Sequence, residues 1–191
     1  VRDVSVAASV APRAQVTRVP GGFRVSGDNA SFASGVGHSP WVIVGGLARG
    51  DGPPQWLFFL IPPGDYTVRD TAGMKGTGSN TIVIDDVFVP ETHVLKQSEL
   101  RLGQGPGGAV HDEPIFRTPF YFYAPLTFTA PMVGAAMGAY RHFREQTRTR
   151  KAVDGSAMAE KTSLQVAMAR AAADIDVAEL LLRRAVQAHH G

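Results

Sequence analysis

The chain of 191 residues contains no cysteine. That excludes disulfides, thiolate nucleophiles and zinc–thiolate sites, and it fits a reducing, cytoplasmic location. No run of eighteen or more apolar residues occurs, so no membrane-spanning helix is predicted. The start, Val1-Arg2-Asp3-Val4-Ser5, has neither an initiator methionine nor the apolar block of a signal peptide, and reads as a segment cut from something longer. Charge of one sign is scarce too. Nineteen basic and seventeen acidic residues leave +2 at neutral pH, too little to argue for nucleic acid, and no stretch interleaves basic residues with aromatics as a binding strip would. The six histidines lack metal-ligand spacing; His189 and His190 are adjacent, but neighbours on a helix point about 100° apart. No metal site is therefore expected.

With 44% apolar and 19% charged residues, the chain has an ordinary globular composition, and it changes character near residue 112. Before that point, β-branched and aromatic runs alternate with Gly/Pro punctuation, predicting strands at 23–26, 41–47, 56–61, 67–70 and 81–89. The turn signals are Pro20-Gly21-Gly22, Gly50-Asp51-Gly52-Pro53-Pro54 and Pro62-Pro63-Gly64-Asp65. Trp56-Leu57-Phe58-Phe59-Leu60 is apolar throughout and is expected to be buried on both faces. Short strands at this spacing imply a small antiparallel barrel or sandwich. Residues 103–108 hold four glycines and a proline and read as a flexible connector.

Helices follow. One runs from Pro119 to about Phe143, where Gly134, Gly138, Ala135, Ala136 and Ala139 form a small-residue face suited to close helix approach. In the last helix Leu164, Met168, Ala171, Ile175, Ala178 and Leu182 recur four and three apart, the seam of a packed helix. Glu179 and Arg183 form an i,i+4 pair expected on its outer side, and Ser156 is the candidate cap. The fold class is thus α+β, with an antiparallel barrel-like β domain over 1–112 and the first part of a helical bundle over 113–191.

The segment that fits none of these elements is 27–41, small, polar and glycine-rich, with Phe32 inside it and Trp41 closing it. Glycines allow close backbone approach and positive φ; the Ser and Asn side chains offer donors and acceptors. Two readings stand: a pair of turns, or one wall for a flat ligand. His38 is the one histidine in this loop, either solvated or catalytic. Gly73-Met74-Lys75-Gly76-Thr77-Gly78-Ser79 lacks the order of a nucleotide phosphate loop and runs into a strand, so it reads as a tight turn exposing Thr77 and Ser79. Asp85 and Asp86, adjacent on a strand, should face opposite ways. Arg148, Arg150 and Lys151 lie where cations complement a helix C-terminus, or where arginine grips phosphate.

Three stretches carry a resemblance. Gly22-Phe23-Arg24-Val25-Ser26-Gly27, Ser31-Phe32-Ala33-Ser34-Gly35 and His38-Ser39-Pro40-Trp41 form the first. The second is Gly73 to Ser79 leading into Val83-Ile84-Asp85-Asp86-Val87-Phe88-Val89-Pro90. The third joins Phe116-Arg117-Thr118-Pro119, Ala130-Pro131-Met132-Val133-Gly134 and the helix beginning Ala171-Ala172-Ala173. Together they resemble the acyl-CoA dehydrogenase superfamily, and within it the oxygenase components of group D two-component flavin-dependent monooxygenases. The resemblance implies a middle β domain and the first half of a C-terminal bundle that assembles a homotetramer, with an N-terminal helical domain and a later bundle segment outside this chain. It implies reduced FMN or FAD from a separate flavin reductase, O2, and hydroxylation of a small aromatic, phenolic or polycyclic substrate through a C4a-hydroperoxyflavin. Ser34 then stands near flavin N5 as a catalytic residue with His38. Phe32, Ala33, Ser34 and Gly35 line the ring, and Arg148 or Arg150 approaches the flavin. A true acyl-CoA dehydrogenase with FAD and a non-catalytic relative are the alternatives.

Overall fold

The computed structural model describes residues 5–50, 52–73 and 75–190, without the side chains of Lys75, His189 and His190. Asp51 of the 50–54 turn, Met74 of the 73–79 turn and the terminal histidine side chains therefore lie outside the described residues. The chain divides into two compact units, Val1–Phe120 and Tyr121–Gly191.

The first unit is one seven-stranded sheet: β1 (Val6–Val19), β2 (Gly22–Ala33), β3 (Trp41–Ala48), β4 (Gln55–Ile61), β5 (Thr67–Arg69), β6 (Asn80–Pro90) and β7 (Val94–Lys96). The spatial order is β5-β6-β2-β1-β3-β4-β7. Every strand predicted from the sequence forms. The sheet is open rather than a closed barrel, and it is mixed, because β1 and β3 pair parallel while the other neighbours pair antiparallel. Leu57, Phe58 and Phe59 are all buried, as their unbroken apolar run predicted, and Phe59 meets Phe23 edge-on at 5.5 Å in the core.

β1 was not predicted. Its interior Pro12 argues against a central strand, since proline cannot donate to a ladder. The strand accommodates it with register shifts between Ser9 and Ala14, opposite Gly45 and Gly46. A Cβ at Gly45 would lie 2.1 Å from the Val10 carbonyl oxygen and 2.7 Å from that of Ala11. The glycines of β3 thus make room for the irregular stretch of β1. β2 also extends further than predicted, through the polar segment to Ala33, with register shifts against β6 after Val25, Gly27 and Ala30.

A similar irregularity corrects the reading of Asp85 and Asp86. Between the pairs Val25–Val87 and Gly27–Ile84, β6 carries one extra residue, and Asp86 has φ +48°. Such a bulge breaks the two-residue alternation, and both aspartates are exposed. Asp86 pairs with Arg24 through both carboxylate oxygens, and its backbone N–H donates to Ser26 Oγ, 3.1 Å away. The 103–108 stretch is ordered as well. Arg117 donates to the carbonyls of Asp112 and Gly108 at 2.9 and 3.0 Å, and Gly103, at φ +71°, sits where a Cβ would strike the Arg117 carbonyl. A short helix, α1 (Gln97–Arg101), precedes it.

The second unit is built on α2 (Phe120–Thr149) and α3 (Thr162–His190). Among the described residues no helix is long and apolar enough to cross a membrane. The predicted seam of α3 is half-buried at Leu164, Met168, Ile175, Ala178 and Leu182, with Ala172 taking the place expected of Ala171. The Glu179–Arg183 pair forms at 2.7 Å, but both residues line the groove between α2 and α3 rather than the outer side. The small-residue face stays open: a Cβ at Gly134 or Gly138 would meet nothing within 4 Å. Phe128, Met132, Leu180 and Leu181 are exposed on these helices.

Ser156 does not cap α3, which starts at Thr162. Asp154 instead closes a turn, accepting the Ser156 N–H at 2.9 Å and its hydroxyl at 2.6 Å. The Ser156 hydroxyl, then its N–H, hold the Asp154 carboxyl below its ordinary range. A lowered folded pKa means that the turn's contribution is complete above the ordinary carboxylate range and is lost as pH falls through the lowered value. The protection of the Ser156 amide, taken relative to its intrinsic exchange rate at each pH, should therefore fall in acid for the native chain, and Asp154→Asn should flatten that dependence. Gly45→Ala should destabilise the first unit by about 2 kcal/mol, the scale of forced overpacking, read as a lowered midpoint in chemical denaturation.

Candidate functional site

The site is built where the two glycine-rich segments meet. Beyond Ala33 the chain turns: the Val36 N–H bonds the Ala33 carbonyl at 3.2 Å and the His38 N–H bonds the Gly35 carbonyl at 2.9 Å. Gly35 supplies φ +78°, a conformation that costs glycine nothing. The turn is then laced to the 75–79 segment. Gly35 N–H donates to the Thr77 carbonyl at 3.0 Å, and Gly37 N–H to the Gly78 carbonyl at 3.2 Å. Gly78 is at φ +59°, and a Cβ there would be 2.9 Å from Cδ2 and Nε2 of His38. The His38 ring therefore rests on Gly78, and the two segments fit together because Gly78 has no side chain where that ring lies.

The rims are braced. Tyr66 donates its phenol O–H to the carbonyls of Ser39 and Pro40 at 3.1 and 3.2 Å, and burial pushes that phenol above its ordinary pKa, so it remains a donor at neutral pH. Trp41 meets His93 edge-on with centroids 6.2 Å apart. Arg69 and Arg13 donate to the carbonyls of Asp28 and Asn29 at 2.6 and 3.4 Å, holding the irregular part of β2. Sequence reasoning missed all three of Tyr66, Arg69 and Arg13, because their partners are backbone carbonyls that leave no mark in the sequence.

Phe32, Ala33, Ser34, Gly35 and His38 share this turn, but their roles there differ. Phe32 has φ +57°, a left-handed conformation costing about 1–2 kcal/mol for a residue with a Cβ, yet its ring is 57% exposed. A large apolar side chain held out on strained backbone is the kind of feature that marks functional sites. Ala33 is fully buried in the core, so only its backbone could face a ligand. Ser34 is exposed; its backbone bridges to Ala8, and its hydroxyl has no hydrogen-bond partner among the described residues. Gly35 has its N–H committed to Thr77. Thr77 is exposed, as predicted, but Ser79 is 2% exposed and bonds Thr77 Oγ1 at 2.6 Å.

Arg148 and Arg150 belong to the second unit. Arg148 is engaged with Glu145 at 3.2 Å. Arg150 has no ion-pair partner among the described residues. Beside Lys151 and Lys161 it lines a cleft of about 520 Å³ at the 150–161 turn. Among the described residues no group of three His, Cys, Asp or Glu could hold a metal ion.

What this arrangement offers chemically is one wall: a projecting aromatic ring, a hydroxyl free to bond a ligand, and a glycine turn packed too tightly to donate further. The chain as a whole is similar to known proteins. Residues 126–191 match the family profile described as acyl-CoA dehydrogenase, C-terminal domain. The chain is 38% identical over 182 residues to the flavin-dependent monooxygenase oxygenase subunit HsaA of Rhodococcus jostii, covering 92% of this chain and 47% of that protein. It is 36% identical over 198 residues to the oxygenase component of the FADH2-dependent resorcinol hydroxylase of a Rhizobium species, covering 97% and 48%. The crystal structure of a 3-HSA hydroxylase from Rhodococcus sp. RHA1 superimposes with a TM-score of 0.81 at 35% identity, covering 94% of this chain and 47% of that one. The chain thus spans about half the length of the curated relatives it matches. The helical segment thus matches an acyl-CoA dehydrogenase C-terminal domain, and nearly the whole chain is similar in sequence and fold to oxygenase subunits of flavin-dependent monooxygenases.

Proposed function

We propose that the protein containing this chain is the oxygenase component of a two-component flavin-dependent monooxygenase that hydroxylates an aromatic, phenolic or polycyclic substrate. The observation that carries this reading is the pairing of Phe32, exposed on left-handed backbone, with the exposed Ser34, whose hydroxyl has no partner among the described residues. The similarity to oxygenase subunits over most of the chain supports it. Reduced FMN or FAD, delivered by a separate flavin reductase, supplies the activation of O2 when bound.

In this reading Phe32 offers its ring as an apolar face for the flavin, and the buried Ala33 anchors the turn while its backbone borders the ring. Ser34 Oγ would accept a hydrogen bond from flavin N5–H and hold that proton in place; its contribution would be fixed polarity at the reacting centre. Gly35, with its N–H already bonded, keeps the turn rigid. His38, exposed beside the same turn, is the titratable group proposed to handle a substrate proton. Arg150, with Lys151 and Lys161 around one cleft of the second unit, is better supported as a phosphate grip than Arg148, which Glu145 already engages. The exposed apolar residues of α2 and α3 support assembly as a homotetramer, since exposed patches of this kind mark interfaces.

Ser34→Ala in the full-length protein, supplied with reduced flavin, O2 and a phenolic substrate, should raise hydrogen peroxide released per flavin oxidised by about tenfold, the scale of one lost hydrogen bond to a polar centre. Unchanged coupling between flavin oxidation and product would remove Ser34 from this role.

A further inference from the structure

Phe32 sits in a gap of the sheet ladder. β2 pairs Ala30 with Ile82 and Ala33 with Asn80, so two residues of β2, Ser31 and Phe32, oppose Thr81 alone. A bulged residue loses its ladder partner, and a left-handed Phe is not self-supporting. Something other than the ladder must therefore hold this point of the chain.

What holds it is a chain of hydroxyls. Thr81 Oγ1 donates to Ser31 Oγ at 3.2 Å, and Thr71 Oγ1 lies 2.7 Å from Thr81 Oγ1. A hydroxyl has one proton; with that of Thr81 given to Ser31, Thr71 is the donor to Thr81. Thr71 is tied in turn by its own N–H, which donates to Asn80 Oδ1 at 3.1 Å. From the other side, Ser9 Oγ donates to the Ser31 carbonyl at 3.3 Å. Thr81 and Ser9 are buried, so water does not readily replace these bonds. Thr71 precedes the 73–79 segment and Thr81 follows it. The chain of hydroxyls thus ties both ends of that segment to the residue before Phe32.

We infer that Thr81, oriented by Thr71, is a positioning residue for the wall formed by Phe32 and Ser34. It fixes Ser31 across the bulge, and through Ser31 it sets the left-handed turn that presents the ring and the Ser34 hydroxyl. The inference rests on the flavin-facing role proposed for that wall. Neither Thr81 nor Thr71 needs to touch flavin or substrate for it to hold.

The test uses the full-length protein carrying Thr81→Val, which keeps shape and removes the hydroxyl, and Thr81→Ser, which restores it. In flavin-free protein, Thr81→Val should speed amide exchange at residues 32–35 by about tenfold, with the amides of β3 and β4 unchanged and Thr81→Ser close to native. With reduced flavin, O2 and a phenolic substrate, the same variant should raise peroxide released per flavin oxidised several-fold, as about one bond's worth of order is lost. Adding Ser34→Ala to it should give little further uncoupling. Native exchange at 32–35 in folded Thr81→Val overturns the inference, and so does faster exchange with native coupling, since the hydroxyls would then serve stability alone. If Ser34→Ala uncouples and Thr81→Val does not, only this inference falls; if neither uncouples, the role of the wall falls with it. Should Thr81→Val not fold, Thr71→Val carries the same test, with the same direction of change expected and native behaviour again overturning it.

Discussion

The candidate site depends on two backbone hydrogen bonds between segments some forty residues apart, Gly35 N–H to the Thr77 carbonyl and Gly37 N–H to the Gly78 carbonyl. They form only where two stretches of backbone come close with no side chain between them. Glycine at 78 meets that condition, and the His38 ring lies against the space a Cβ there would take. This contact explains why the two glycine-rich motifs belong together: each is half of a single packed object. Ser79 is buried as a consequence, and the turn that carries Ser34 gains a rigid floor.

Around that floor the sheet is used for its irregularities. β1 shifts register over Gly45 and Gly46, β2 shifts three times against β6, and β6 bulges at Asp85 and Asp86. Each departure frees backbone groups that a regular ladder would have paired, and side chains take up the load: Arg69 and Arg13 on the carbonyls of residues 28 and 29, Trp56 Nε1 on the Val10 carbonyl at 3.2 Å. Buried polar groups are costly unless bonded, and among the described residues no buried side-chain polar atom lacks a partner. The second unit is organised differently. Its two long helices leave a groove of about 500 Å³ between them and keep large apolar side chains exposed.

Much of this was legible in the sequence for local reasons. Alternating or unbroken apolar runs bounded by Gly and Pro located β2 to β6, and a four-three spacing located the half-buried seam of α3, since each pattern reports one element's own periodicity. The motifs around Ser34 and Gly78 were likewise visible as strings of residues needing special backbone. Other features were not. β1 was hidden by Pro12, the continuation of β2 through Ser31 and Phe32 by its polar composition, and the order of residues 103–108 by the absence of any local cue that Arg117 would clamp them.

The sequence by itself therefore determined the element types and the family resemblance, both of which rest on neighbours along the chain. Only the tertiary structure decided which way particular side chains face: Ala33 into the core and Phe32 out, Ser79 buried, Asp85 and Asp86 both exposed, Glu179 in the groove. The reason is register. A shift of one residue turns a strand's side chains to the other face, and where the shifts fall is set by the partner strand, by the glycines opposite it and by the hydroxyls that bridge the gap.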